Sequence, residues 1–206
     1  MNSIRLTVFD VFSYILPGFY FLFIFFIVLY DFNFLLLYHM FLGIGFLKLF
    51  LFLLCSYFLG FVMDPLSNFM AIKFVALFRG KLKDRVIEKC NGYKGLYDVP
   101  IVLNYQFSHI YSYVDYYSSQ VRLKVDQLSA MSGLARNMAM STLLSSLLII
   151  YYYYINQVNV FLVFFSIVEI LVSIMLFFRS DTFRYWSHLH LLNGFIVIKR
   201  SVTNEK

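Results

Sequence analysis

Two ionisable side chains lie where ionisable groups are expensive. Lys48 falls inside the apolar run 41–63, and Glu169 falls near the middle of the apolar run 160–178. A charge at the centre of a membrane-spanning helix costs about 2.5–3.5 kcal/mol on insertion scales, so each needs a partner, water or a route to the surface. Three readings follow. Lys48 can run its stem outward and leave its ammonium among the headgroups. The two can pair, within one chain or between copies, as a structural lock. Or Glu169 can line a water-filled path and set cation preference, which makes it a pore or gating residue. If both helices run from outside to inside, Lys48 lies roughly 10 Å and Glu169 roughly 15 Å below their outer ends at 1.5 Å per residue. A lysine stem can bridge that difference.

Other reactive types carry less. Pro17-Gly18 sits in the first turns of the apolar run 11–30. Proline is tolerated early in a helix, and neighbouring helices can satisfy the freed backbone in a membrane, so a kink is the simple reading and a pore-opening hinge the sharper one. His188 and His190 are two apart and point to different sides of a helix, whereas helical zinc ligands sit three or four apart. His109 and Cys90 are isolated, and no metal or cofactor is expected. No phosphate-binding glycine loop, nucleophile elbow or H-E-x-x-H motif occurs. The expectation is therefore a protein that is not an enzyme.

The elements that hold these residues are membrane spans. The 206 residues are 61% hydrophobic and 21% aromatic, more apolar than soluble domains. Four runs of spanning length stand out, at about 11–30, 41–63, 138–154 and 160–178. They form two pairs, 1–63 and 138–178. Small residues four apart, Ser56 with Gly60 and Ser141 with Ser145, suit close helix packing.

Between the pairs, 64–137 is predicted to be a helical cytoplasmic region. Asp64-Pro65 reads as a helix start, with the acid as N-cap and proline at the first helical position. From Asn104 to Tyr154 apolar residues recur every three or four positions, through Ile110, Val114, Tyr117, Val121, Val125 and Leu128. This predicts one uninterrupted helix that begins in water and ends in lipid. Its exposed face, with Ile110, Val114, Tyr117, Val121, Arg122 and Lys124, is the expected surface for a partner or another copy. The tail 179–206 is predicted to carry an amphipathic helix that starts after Arg179 and ends at Gly194.

Net charge is +6, and in a membrane chain this reports topology more than a nucleic-acid footprint. The connections 31–40 and 156–159 contain no Lys or Arg, whereas Lys73, Arg79, Lys81, Lys83, Arg85 and Lys89 cluster between the pairs. By the positive-inside rule both termini and the central region lie in the cytoplasm. Cys55 and Cys90 are too differently placed to suggest a disulfide.

The segment Asp10-Val11-Phe12-Ser13-Tyr14-Ile15-Leu16-Pro17-Gly18 resembles the start of small four-span bacterial inner-membrane proteins. These occur in antiphage defence operons, as four-span effectors or as the membrane subunit of the Kiwa type. The two-plus-two span layout and Arg136-Asn137 before the third span are also similar. The resemblance implies a homo-oligomer in the inner membrane, a cytoplasmic protein partner and a role in sensing phage or disrupting the bilayer. A housekeeping channel or transporter is the alternative, and a membrane-bound enzyme the third. The fold expected is all-α, with four transmembrane helices and a cytoplasmic helical layer.

Overall fold

The computed structural model describes residues 8–33, 35, 38–39, 45–91, 107–156 and 160–204. Among these the chain is helical, with no strand, and six helices carry it: α1 (Val8–Leu29), α2 (Phe46–Arg79), α3 (Leu82–Asn91), α4 (Phe107–Tyr117), α5 (Ser119–Asn156) and α6 (Val160–Asn204). Four of them, α1, α2, α5 and α6, are long and apolar enough to cross a membrane. Residues 92–106 and most of the connection 156–159 lie outside the described residues.

Three boundaries differ from the sequence reading. The helix expected to start at Asp64-Pro65 does not start there, because α2 runs through Pro65. Proline removes one backbone donor. Around it the Ser67 hydroxyl contacts the Asp64 carbonyl at 2.8 Å, and the Asp64 carboxylate is held from α5. The tail helix expected between Arg179 and Gly194 is instead continuous with the fourth span, since α6 extends for 45 residues. Gly194 packs tightly against Val121, where an added Cβ would collide with the valine side chain. The glycine signal there reports a close contact and not a helix stop. A true stop occurs at Gly80, which follows α2 with φ +75° and whose N–H bonds the Ala76 carbonyl at 3.2 Å. Glycine takes that left-handed turn without a Cβ penalty.

The long helix expected from Asn104 to Tyr154 is broken at Ser118, between α4 and α5. The Ser118 hydroxyl accepts from the Val121 N–H at 3.4 Å, in the manner of a weak N-cap for α5. Serine competes with the helical backbone for such bonds, which makes it a natural interruption.

The chain divides into two compact units, 1–71 with 133–180 and 72–132 with 181–206. In the first, the apolar core holds Ile24, Ile27, Ile149 and Leu162, with Phe23, Phe26 and Tyr152 packed against it. In the second, Val86 of α3, Ile110 and Val114 of α4, Val125 of α5 and Leu189, Leu191 and Leu192 of α6 form one cluster. Ile110 and Val114 were expected on an exposed partner face. They are buried at 6% and 0% exposure, because α4 folds its apolar stripe against α3, α5 and α6 of its own chain.

Candidate functional site

The first unit is built on close helix contacts. A Cβ placed on Gly18 of α1 would strike the Ser56 carbonyl of α2, and one on Gly60 would strike the Tyr14 carbonyl of α1. Ser56 is fully buried at this crossing and bonds the Phe52 carbonyl of its own helix at 2.8 Å. Pro17 is fully buried and lies inside α1. Its carbonyl accepts a hydrogen bond from Ser141 of α5 at 2.6 Å. The Pro17-Gly18 pair therefore makes two helix contacts, one on each side.

A polar seam runs through this unit on three helices. On α1, Ser13, Pro17 and Tyr20 step by four and three along one face. On α5, Asn137, Ser141 and Ser145 step by four and are fully buried. Asn137 donates to the Ser13 carbonyl at 3.2 Å, one turn before Ser141 donates to Pro17. On α6, Ser166, Glu169 and Ser173 share a face and are all buried. Ser173 donates to the Ala139 carbonyl of α5 at 2.7 Å.

Glu169 is 4% exposed. Its Oε1 accepts from the Tyr20 hydroxyl. Its Oε2 is buried and has no hydrogen-bond partner among the described residues, and the same holds for Ser145 Oγ. An orphan acceptor in low dielectric is costly.

Lys48 does not meet this acid within the chain. It lies exposed on α2, and the partner of Glu169 is Tyr20. The intrachain pair anticipated from the sequence is not formed. Tyr20 could not have been singled out beforehand, since it is one of 17 tyrosines and nothing about its local spacing marks it.

A second polar cluster closes one end of the seam. Arg136 of α5 donates to Asp64 at 2.5 Å, to Asn68 at 3.0 Å and to Ser67 at 3.2 Å, all on α2. The Ser67 hydroxyl lies 2.5 Å from the Asn137 side-chain amide oxygen Oδ1 and 2.8 Å from the Asp64 backbone carbonyl, and its single proton serves one of them at a time. The contacts that Arg136 makes to α2 were not legible from the sequence, because its partner Asp64 looked like a helix cap.

Of the remaining interface candidates, Val121 packs on the core of the second unit. Arg122 is held by Asp115 and lies 3.5 Å from Asp126. Tyr117 is 48% exposed, with its ring tilted against Tyr113 and edge-on to Tyr116. Lys124 is exposed. Tyr111 of α4 donates to Asp126 of α5 at 2.6 Å across the Ser118 break. Burial, with the bond to Asp126 next, pushes its phenol up to about 12.

No protein-family model, curated protein or solved structure matches the chain.

Proposed function

We propose that the chain is the membrane component of a bacterial antiphage defence system, an oligomer in the inner membrane that senses or disrupts bilayer integrity together with a cytoplasmic protein partner. Glu169 is the group on which its state depends. The observation that supports this is the buried carboxyl with one oxygen on Tyr20 and the other without a hydrogen-bond partner among the described residues, inside a seam of serines that offers hydroxyls and little bulk. A proton or cation arriving there would remove the cost of the orphan oxygen, and its departure would restore it. Such a site gives one chain two states of different energy. The distribution of Lys and Arg supports a topology with both termini in the cytoplasm. The same orphan oxygen favours a second reading, a small housekeeping channel or transporter.

The test expresses the wild type and Glu169→Gln in a bacterial host, with and without phage. Plaque counts and a potential-sensitive dye are the readouts. The defence reading expects the wild type to cut plaque counts and to depolarise infected or overexpressing cells. It expects Glu169→Gln to lose both effects at equal membrane abundance. Steady solute flux without depolarisation or protection would move the assignment to the transporter.

A further inference from the structure

The second unit holds an open cleft of about 790 Å³ whose lining includes Arg79, Arg85, Lys89, Thr182, Tyr185 and Trp186. Glu88 is the acid among the lining residues. Asp181, with its side chain 9% exposed, holds the two arginines, at 2.6 Å from Arg85 and 3.4 Å from Arg79. It offers one oxygen to each guanidinium, Oδ1 to Arg85 and Oδ2 to Arg79. Arg79 also contacts the Thr182 hydroxyl at 3.3 Å. The Arg85 guanidinium lies 5.8 Å from the centre of the Tyr185 ring, and its buried Nε has no hydrogen-bond partner among the described residues. Trp186 is 45% exposed beside Tyr185, with ring centres 5.8 Å apart.

We infer that this cleft binds a phosphorylated, ring-bearing anion of the nucleotide class. The phosphoryl group is held by Arg85 with Arg79 and Lys89, and the ring lies against Trp186. An arginine fork suits phosphate because it presents several donors in one plane. Asp181 holds both forks at the cleft, Arg85 at 2.6 Å and Arg79 at 3.4 Å. An aromatic face next to a cationic groove is the arrangement that stacks a base and holds its phosphate. The site is separate from Glu169, and the inference does not depend on the reading given to that residue.

Trp186 is the single tryptophan of the chain, so its fluorescence, excited at a wavelength that spares tyrosine, reports this cleft alone. The full-length chain in phosphatidylcholine nanodiscs is titrated with the four ribonucleoside monophosphates and triphosphates, with ribose phosphate and with inorganic phosphate. Saturable quenching by at least one nucleotide is expected, with ribose phosphate and inorganic phosphate at least about tenfold weaker because they lack the ring. Arg85→Lys, which keeps the charge beside Asp181 but loses the fork, weakens binding by about tenfold or more. Lys89→Met weakens it without touching the Asp181 contacts, and Lys124→Met, outside the cleft, leaves it unchanged. No quenching by any nucleotide up to millimolar concentration overturns the inference. So does a response that appears only when phosphatidylglycerol replaces phosphatidylcholine, which assigns the cations to a lipid headgroup. Unchanged affinity in both Arg85→Lys and Lys89→Met removes the ligand from this cleft.

Discussion

Two glycines separate residue type from residue position. At Gly18 and Gly60 an added methyl falls on the backbone of the facing helix, which cannot swing away as a side chain can. Either alanine must push α1 and α2 apart, and overpacking of this kind costs about 1–3 kcal/mol. At Gly133 nothing among the described residues lies within 4 Å of the added atom, so Gly133→Ala is expected to be neutral or to gain about 0.5–1 kcal/mol from helix propensity. Thermal unfolding in detergent should rank Gly18→Ala and Gly60→Ala below the wild type and Gly133→Ala at or above it. Equal midpoints for all three would mean that α1 and α2 do not meet this closely. The Ser56–Gly60 spacing was readable because small residues four apart mark a flat helix face. That its counterpart is Tyr14 and Gly18 was not readable, since a motif on one helix carries no record of what packs on it. The acid at 169 was conspicuous for its cost in lipid. Its partner was hidden because a tyrosine is at home anywhere in such an aromatic chain.

Between helices, Arg136 of α5 makes three polar contacts to α2. The Arg136 and Asp64 side chains are 17% and 28% exposed, and Arg136 also serves Ser67 and Asn68. Arg136→Met leaves Asp64 unpaired and is expected to cost about 1.5–3 kcal/mol, the range for charge-assisted hydrogen bonds. Adding Asp64→Asn should recover part of the loss, and a double-mutant cycle on unfolding free energy measures the coupling. Strictly additive losses would show that the pair carries no weight. The link across the Ser118 break is weaker and depends on pH. The Tyr111 phenol is pushed up to about 12 from its ordinary value of 10.0, so the folded state holds the proton more tightly than the unfolded one. Its contribution is complete below pH 10 and is lost as pH rises from there through 12. Screening of this half-exposed bond reduces its value to about 1 kcal/mol. The gap in melting midpoint between wild type and Tyr111→Phe should stay constant to pH 10 and shrink above it. A gap that ignores pH up to 12 would rule out the Asp126 bond as its source. Helix existence was legible in the periodicity, but helix ends were not. Asp64-Pro65 and Gly194 carry the local chemistry of boundaries, and tertiary packing overrides both. Ser118 carries less of that chemistry, and there the helix breaks.

For the whole molecule, the spans were legible because the thickness of hydrocarbon dictates about 20 apolar residues per crossing. Which apolar faces meet lipid and which meet protein was not, because hydrocarbon and a neighbouring helix are equally apolar. The helices differ in this respect. In α5, 39% of the most apolar window is buried within the chain, against 17% in α2. The first turns of α2 are exposed throughout, with Phe46 at 86% and Leu47 at 69% exposure. Lys48 lies exposed in the same stretch, and an exposed cation there either runs out to the headgroups or meets an acceptor on another copy. Cys55, also exposed, is seven residues further on, two helical turns away and so on the same side of α2. If this side joins copies, the detergent-solubilised chain has a mass that is a multiple of 24.4 kDa. A mild oxidant acting on a Cys90→Ser variant in native membranes should then give a reducible Cys55–Cys55 dimer, and Lys48→Leu should change its yield. A monomeric mass with no cross-link would leave α2 facing lipid and Lys48 reaching for the surface, and would remove the oligomer from the proposed function.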